Sequence, residues 1–281
     1  MFNFTRLFRE MRFFEAMSKI HKSEERYRKR YALGAYKQAQ IKHIQKSGCF
    51  CFDINEELIN LYNTIKDNPE ELLHLLKEQY FERHSTDFYY QIRNIDRRRK
   101  LYANLTQLQK AARFLYLNRT CYNGLWRVNS LGQNNVPMGR YKNPCIINSD
   151  EIIEISQYFN TSNINFINRD YKAVLEYANE NDVVYFDPPY DIEEEQNGFV
   201  AYTKGGFNRE EQLNLKLLCD VLVQRGVTVV VSNSNTEYIR AIYSTGPVNY
   251  QLIDDIVARR SIGSNTNSRR QINELLIIGR P

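Results

Sequence analysis

The sequence predicts an α/β fold built on a mostly parallel, doubly wound sheet. Short apolar runs of strand length alternate with longer stretches of helical periodicity, and three of those runs lead into a carboxylate, Asp53, Asp170 or Asp187. The 281 residues suffice for one large α/β domain or for a catalytic domain with a smaller insert. Ligands of open parallel sheets bind beyond the C-terminal ends of the strands. One pocket shared by the three carboxylates is therefore the expectation.

Taken in order, Phe4, Leu7, Phe8 and Met11 stand at helical spacing and are followed by a strongly basic stretch to residue 46, which predicts amphipathic helices. Cys49 to Phe52 reads as a strand that ends at Asp53, with a helix through Leu58, Ile59, Leu61, Tyr62 and Ile65 behind it. Pro69 opens a second helix through Lys77, because a missing N–H costs nothing at the first helical position. An Arg-rich middle, with Arg93, Arg97, Arg98, Arg99 and Lys100, leads into a helix from Leu101 to Leu117. Cys121 to Pro144 is rich in Asn, Gly and Pro and reads as loop. Further strands are expected at Asn163 to Ile167, Val183 to Phe186, Val227 to Val231 and Leu275 to Ile278. A helix from Leu213 to Gln224 is stopped by Gly226.

Composition excludes some classes. With 25% charged and 13% aromatic residues and a mean hydropathy of −0.57, the chain reads as soluble and globular rather than disordered or membrane-embedded. The start, MFNFTRLFREMRFFEAM, is interrupted by Arg and Glu too often for a secretory or membrane-spanning segment. Five cysteines without C-x-x-C or Cys/His spacing read as reduced thiols in a cytoplasmic protein, with no metal implied. The formal charge of +5 is unevenly placed. Residues 1–48 hold 12 Lys/Arg against 4 Asp/Glu, and the remainder holds 26 against 29.

The sharpest motif is Asp187-Pro188-Pro189-Tyr190, at the end of the apolar run Val183-Val184-Tyr185-Phe186. Prolines fix φ and donate no backbone hydrogen bond, which leaves acceptors only: the Asp187 carboxylate and the carbonyl beside it. Two acceptors that draw both hydrogens of an aromatic amine out of the ring plane restore its delocalised lone pair, and Tyr190 can stack on the ring. The bland alternative is a strand that ends in a Pro-Pro turn with a capping Asp. Asp53 likewise has two readings, bidentate acceptor for a pair of ribose hydroxyls or N-cap of the helix behind it.

Residues 118–144, NRTCYNGLWRVNSLGQNNVPMGRYKNP, mix Arg for guanine edges and phosphates, apolar side chains for a thymine methyl and aromatics to fill a vacated stack. A surface loop with scattered charge has the same composition. The YNGLxRxN and NVPxGRYKxP patterns within it resemble the recognition loop and hairpin of the Dam-like (D12 class) adenine-specific DNA methyltransferases. So do the D-P-P-Y tetrapeptide, the DINEELINLYNTIKDNPEEL segment from Asp53, the RDY at Arg169 to Tyr171 and the AYTKGGF at Ala201 to Phe207. Ser232-Asn233-Ser234 and the basic Arg259, Arg260, Arg269 and Arg270 also fit, and the resemblance extends from about Cys49 to the C-terminus.

The resemblance implies a Rossmann-like, S-adenosylmethionine-dependent methyltransferase sheet with an inserted, mainly helical DNA target-recognition domain. The implied divisions are 1–60 as an atypical N-terminal part of the catalytic domain, 61–160 as the recognition domain, and 161–281 as the catalytic domain with D-P-P-Y. Asp53, Asp170, Tyr171 and Asp187 would hold S-adenosylmethionine. Asp187, Pro188, Pro189 and Tyr190 would act on the exocyclic amine of a flipped adenine. Tyr122 would wedge into the duplex, Asn123 would help evict the adenine and hold phosphate, and Leu125 and Pro137 would touch the thymine methyl. Arg127 would read a guanine, and Arg140 and Lys142 would neutralise phosphates. The implied target is GATC in double-stranded DNA, with no membrane partner and residence at the nucleoid when bound. The resemblance leaves room for a cognate restriction endonuclease acting on the same site, though not as a stable subunit.

One departure stands out. The family opens with a Lys-bearing glycine motif and a strand ending in F-x-G-x-G, whereas the only glycines before Asp53 are Gly34 and Gly48. Gly34 with Lys37 echoes the first motif, and Ser47 to Phe52 resembles the back half of the second, run directly into the DIN segment. Three readings fit: a diverged but functional N-terminal region, a rearranged gene, or a decayed relative that binds DNA without methylating it. A methyltransferase acting on RNA or on a protein amide is a further alternative.

Overall fold

A computed structural model describes residues 48–192, 207–258 and 272–281. The basic N-terminal stretch with Gly34 and Lys37, residues 201–206 of the AYTKGGF match, and Arg259, Arg260, Arg269 and Arg270 lie outside the described residues. The chain divides after Tyr171 into two units.

In the first unit, Cys49–Phe52 forms β1 and pairs in parallel with β2, Ile164–Ile167, so that Phe52 stands opposite Ile167. The long crossover between them is helical. α1, Glu56–Asp67, is capped by Asn55, whose side chain accepts from the Leu58 N–H, and Glu56 and Glu57 in its first turn favour the positive end of the helix dipole. Asn55 thus takes the capping role that the sequence also allowed for Asp53. α2, Pro69–Leu76, starts at the expected proline and runs on as a π-helical turn, Lys77–Phe81, beyond the expected end. α3, Thr86–Arg93, is followed by a 3-10 turn, Asn94–Arg97.

The helix expected from Leu101 to Leu117 is two helices, α4 at Arg99–Ala103 and α5 at Gln107–Thr120. Thr106 causes the break: its side chain accepts from the Gln109 N–H at 3.2 Å while the Gln109 side chain accepts from the Thr106 N–H at 2.9 Å. This reciprocal cap starts a new helix where an apolar pattern suggested continuity. Ala111 to Leu117 are all buried, so α5 is the central helix of a core that includes Leu61, Ile65, Leu72, Leu76, Tyr89 and Phe159. α6, Ser149–Thr161, returns the chain to β2.

The second unit opens with a short helix, α7, Val174–Tyr177, then β3, Val183–Phe186. α8, Arg209–Gln224, begins four residues before the expected start because Asn208 caps it, accepting from the Glu211 N–H. β4, Thr228–Ser234, runs three residues past its expected end, and all seven of its residues are buried. After α9, Glu237–Tyr243, come β5, Gln251–Ala258, and β6, Ile272–Gly279. The order is β3-β4-β6-β5, with β3 parallel to β4 and both β6 pairings antiparallel. This sheet is therefore mixed rather than mostly parallel. β5 escapes the sequence reading because a register shift between Ile253 and Ile256 interrupts the two-residue period on which a strand is recognised.

Candidate active site and nucleic-acid interface

Asp187 follows the last residue of β3, beside the C-terminal part of β4, because Phe186 pairs with Val231. Ser232 Oγ donates to Asp187 Oδ1 at 2.8 Å, and Tyr185 OH lies 3.0 Å from the same Ser232 oxygen. A serine hydroxyl has one hydrogen, so the chain runs from Tyr185 to Ser232 to the carboxylate. This orients the acid from behind.

The two prolines are held differently. Gln212 of α8 donates its Nε2 hydrogen to the Pro189 carbonyl at 2.8 Å, and its Oε1 accepts from Asn233 Nδ2 at 3.0 Å. Asn233 Oδ1 in turn accepts the Asp191 N–H at 3.1 Å and the Ser234 N–H at 2.8 Å. Asn233 and Gln212 are almost wholly buried, so this amide pair is satisfied internally and pins the loop from inside. Asp191 anchors the far end, accepting from Thr236 Oγ1 at 2.7 Å and from Arg209 Nε at 3.3 Å. Among the described residues, no donor occupies the Pro188 carbonyl. Of the two proline carbonyls, that of Pro189 is tied into the fold. The sequence motif marked Asp187 through Tyr190, but Gln212 and Asp191 give no local signal, because their partners lie 23 and more than 40 residues away in Pro189 and Asn233.

In the first unit the parallel register brings Asp53 and the segment after β2 to one edge. The Asp53 N–H donates to Ile167 O at 3.3 Å, and Asn168 Nδ2 donates to Asp53 O at 2.9 Å. The Asp53 carboxylate is half-buried and accepts the Asn55 N–H at 2.7 Å; burial pushes its pKa up, and that one bond only partly offsets the shift. Asp170 follows on the same edge and is exposed, and Tyr171 opens a short 3-10 turn and is half-buried. Acceptors that suit ribose hydroxyls and an exocyclic amine, with an aromatic residue next to one of them in the chain, are what an adenosine-bearing cofactor needs. The residues present fit such a group. Among the described residues no cluster of three or more His, Cys, Asp or Glu could hold a metal ion, and all five cysteines are free thiols.

The loop after α5 is an ordered hairpin. Two isolated bridges, Cys121 with Met138 and Val128 with Asn134, join its arms, and the Tyr122 N–H donates to Pro137 O at 2.9 Å. Asn123 and Gly124 both have positive φ, which swings the chain outward after Tyr122. Gly139 is needed where it stands: a Cβ there would lie 2.8 Å from Cys121 O. Tyr122, Arg127, Pro137, Arg140 and Lys142 are exposed, whereas Asn123 and Leu125 are half-buried. The seven residues marked for DNA contact therefore share one hairpin. Trp126, to which the sequence assigned no role, stacks on Phe114 with ring centres 3.9 Å apart and anchors the loop to α5.

A wholly buried Arg113 holds the base of this loop. It donates to Glu57 at 3.0 Å, to Asp96 at 2.8 Å, and to the carbonyls of Ile92 and Arg93. Tyr102 also donates to Glu57. Burial pushes the Glu57 carboxyl up, and the Arg113 guanidinium opposes that shift. Nothing in the sequence distinguishes Arg113 from the other arginines around it.

Residues 34–261 match the sequence profile of the D12 class N6 adenine-specific DNA methyltransferases. The chain is 38% identical over 225 residues to the type II methyltransferase M1.LlaDCHI of Lactococcus lactis subsp. cremoris, covering 80% of this chain and 77% of that protein. It is 34% identical over 234 residues to the type II methyltransferase M.MjaIII of Methanocaldococcus jannaschii, covering 80% and 78%. It is 34% identical over 230 residues to the DNA adenine methylase of Escherichia coli, covering 82% and 78%. With a profile match across most of its length and relatives that align over three quarters of their own, the chain belongs to the D12 class N6 adenine-specific DNA methyltransferase family.

Proposed function

We propose that this protein methylates the exocyclic amine of adenine in double-stranded GATC sites, with S-adenosylmethionine as donor. The observation that carries the reading is the arrangement at the D-P-P-Y loop: a carboxylate oriented by Ser232, and a Pro188 carbonyl without a donor among the described residues while its neighbour is tied to Gln212. Asp187 and the Pro188 carbonyl each take one hydrogen of the target amine, and Tyr190 stacks on the extruded ring. The loop is fixed before substrate arrives, so the contribution of these residues is positioning. S-adenosylmethionine, the general methyl donor of such enzymes, supplies an electrophilic methyl group on a sulfonium. Asp53 holds its ribose hydroxyls, Asp170 accepts from its adenine amine, and Tyr171 lines that ring.

The helical part of residues 61–160, ending in the 121–144 hairpin, is the target-recognition region in this reading. Tyr122 wedges into the duplex and Asn123 helps evict the adenine. Leu125 and Pro137 meet the thymine methyl, Arg127 reads guanine, and Arg140 and Lys142 meet phosphates. The relatives named as methylases do not favour the non-catalytic alternative.

The test is transfer of labelled methyl to a short GATC duplex, beside the same duplex already methylated on both strands. Label in the unmethylated duplex alone supports the reading, and no label from folded protein overturns it. Asp187→Ala is expected to abolish transfer while duplex binding stays largely intact. Loss of binding in parallel would assign Asp187 a structural role instead.

A further inference from the structure

The exposed Arg127 already has a partner in the free protein. Its Nε donates to Asn135 Oδ1 at 2.7 Å and its Nη2 to Asn135 O at 3.3 Å, while the Asn135 N–H donates back to Arg127 O at 3.1 Å. A guanidinium has two edges capable of bidentate contact, the side edge of Nε with one Nη and the end edge of the two Nη atoms. Asn135 takes the side edge. The end edge, the fork that matches O6 and N7 of guanine, has no partner among the described residues.

Asn135 can impose that orientation only if its own backbone is fixed, and both of its neighbours are bolted to the helices. The Asn134 N–H donates to Asp96 Oδ2 at 2.8 Å and its carbonyl accepts from Arg97 Nη2 at 2.8 Å. The Val136 carbonyl accepts from Tyr89 OH and from Arg93 Nη1, each at 3.0 Å. Asp96 is itself held at 2.8 Å by the buried Arg113. Asn134 and Val136 are buried and Asn135, between them, turns outward. A rigid base therefore carries one half-buried amide whose side-chain oxygen accepts from the guanidinium of Arg127.

We propose that Asn135 is a specificity-determining positioning residue that presents the end edge of Arg127 to the base pair it reads. The inference rests on the reading of Arg127 as a guanine contact. Arginine loses considerable side-chain freedom when it is ordered. Asn135 removes that loss from the binding step, so its effect falls on discrimination at one base pair rather than on affinity for duplex in general.

The test uses the full chain and equilibrium binding of labelled duplexes, one containing GATC and the others each carrying one base-pair change within it. Wild type, Asn135→Ala, Arg127→Ala and the double variant are compared, with thermal unfolding to confirm that each is folded. Asn135→Ala is expected to lower discrimination roughly tenfold, or about 1.4 kcal/mol, at the one position where Arg127→Ala lowers it, and to add nothing in the Arg127→Ala background. Uniform weakening across all duplexes, additive with Arg127→Ala, would show a direct phosphate contact and overturn the proposal. Unchanged discrimination in Asn135→Ala alone would overturn it too. If Arg127→Ala leaves discrimination unchanged everywhere, the guanine-reading role fails and the inference falls with it.

Discussion

Asp53, proposed to hold the ribose hydroxyls of the methyl donor, works against the fold. Its carboxylate is half-buried with one backbone N–H to offset the desolvation, and its pKa is pushed above the ordinary value. A carboxyl whose folded pKa is raised contributes its full stability below the unfolded value, about 3.9, and loses it as pH rises through the folded value. At neutral pH the ionised group is a net cost. Asp53→Asn keeps an acceptor for the Asn55 N–H and removes the charge, so the variant is expected to melt higher than wild type at pH 7 to 8, with the difference shrinking below pH 4. The same variant should bind S-adenosylmethionine more weakly by about 1.5–3 kcal/mol, the usual worth of hydrogen bonds to a charged group. Melting curves at two pH values and a binding titration check both halves, and a variant less stable at neutral pH would sink the argument. Such residues are legible in sequence when their chemistry is local, as Asp187-Pro188-Pro189-Tyr190 is. Asn135 and Gln212 are not, because what defines each is a partner that only folding brings near.

At the scale of elements, the 121–144 hairpin depends on helices that a linear reading treats separately. Glu57 belongs to α1, Asp96 to the 3-10 turn after α3 and Arg113 to α5, and one guanidinium joins the three. A buried ion network is expensive to assemble and more expensive to break, since removing one member leaves unpaired charge behind. Arg113→Met is expected to destabilise the protein by about 3–5 kcal/mol at neutral pH. The deficit should narrow on acidification, as Glu57, whose carboxyl burial pushes up, protonates and loses the charge that Arg113 neutralised. Denaturant unfolding at pH 7.5 and pH 4.5 measures both effects, and an equal deficit at the two values would mean that packing rather than charge dominates. Strands β1 to β4 and helices α1, α2 and α8 were visible as apolar runs with capping or turn signals at their ends. The break between α4 and α5 was missed although its T-x-x-Q cap is in the sequence, because the apolar pattern on either side stays in phase. β5 was missed because its bulge and paired aspartates, Asp254 and Asp255, interrupt alternation.

For the molecule as a whole, the excess positive charge lies in a different part of the chain from the residues proposed to read sequence. Residues 1–48 hold 12 Lys/Arg against 4 Asp/Glu, while the rest, which includes the D-P-P-Y loop and the hairpin, holds 26 against 29. A duplex attracts cations wherever they are and releases counterions in proportion to the phosphates neutralised, with a slope of about 0.9 in log K against log salt for each. Attraction that ignores sequence should therefore come mainly from the basic first segment, and discrimination from the few hairpin side chains proposed to reach base edges. Replacing Lys22, Arg26, Arg28, Lys29 and Arg30 together by Gln is expected to flatten the salt dependence of duplex binding by roughly 0.9 for each of the five that meets a phosphate. The preference for GATC over a single-pair variant should stay within about twofold of wild type, the spread of roughly 0.5 kcal/mol within which independent sites add. Arg127→Ala should do the opposite, costing ~1–3 kcal/mol of discrimination while changing the slope by no more than about one unit. Binding isotherms at four or five salt concentrations for the two variants separate these effects. An unchanged slope in the quintuple variant would move the electrostatic footprint onto the hairpin itself, where Arg140 and Lys142 are the remaining exposed cations beside Arg127.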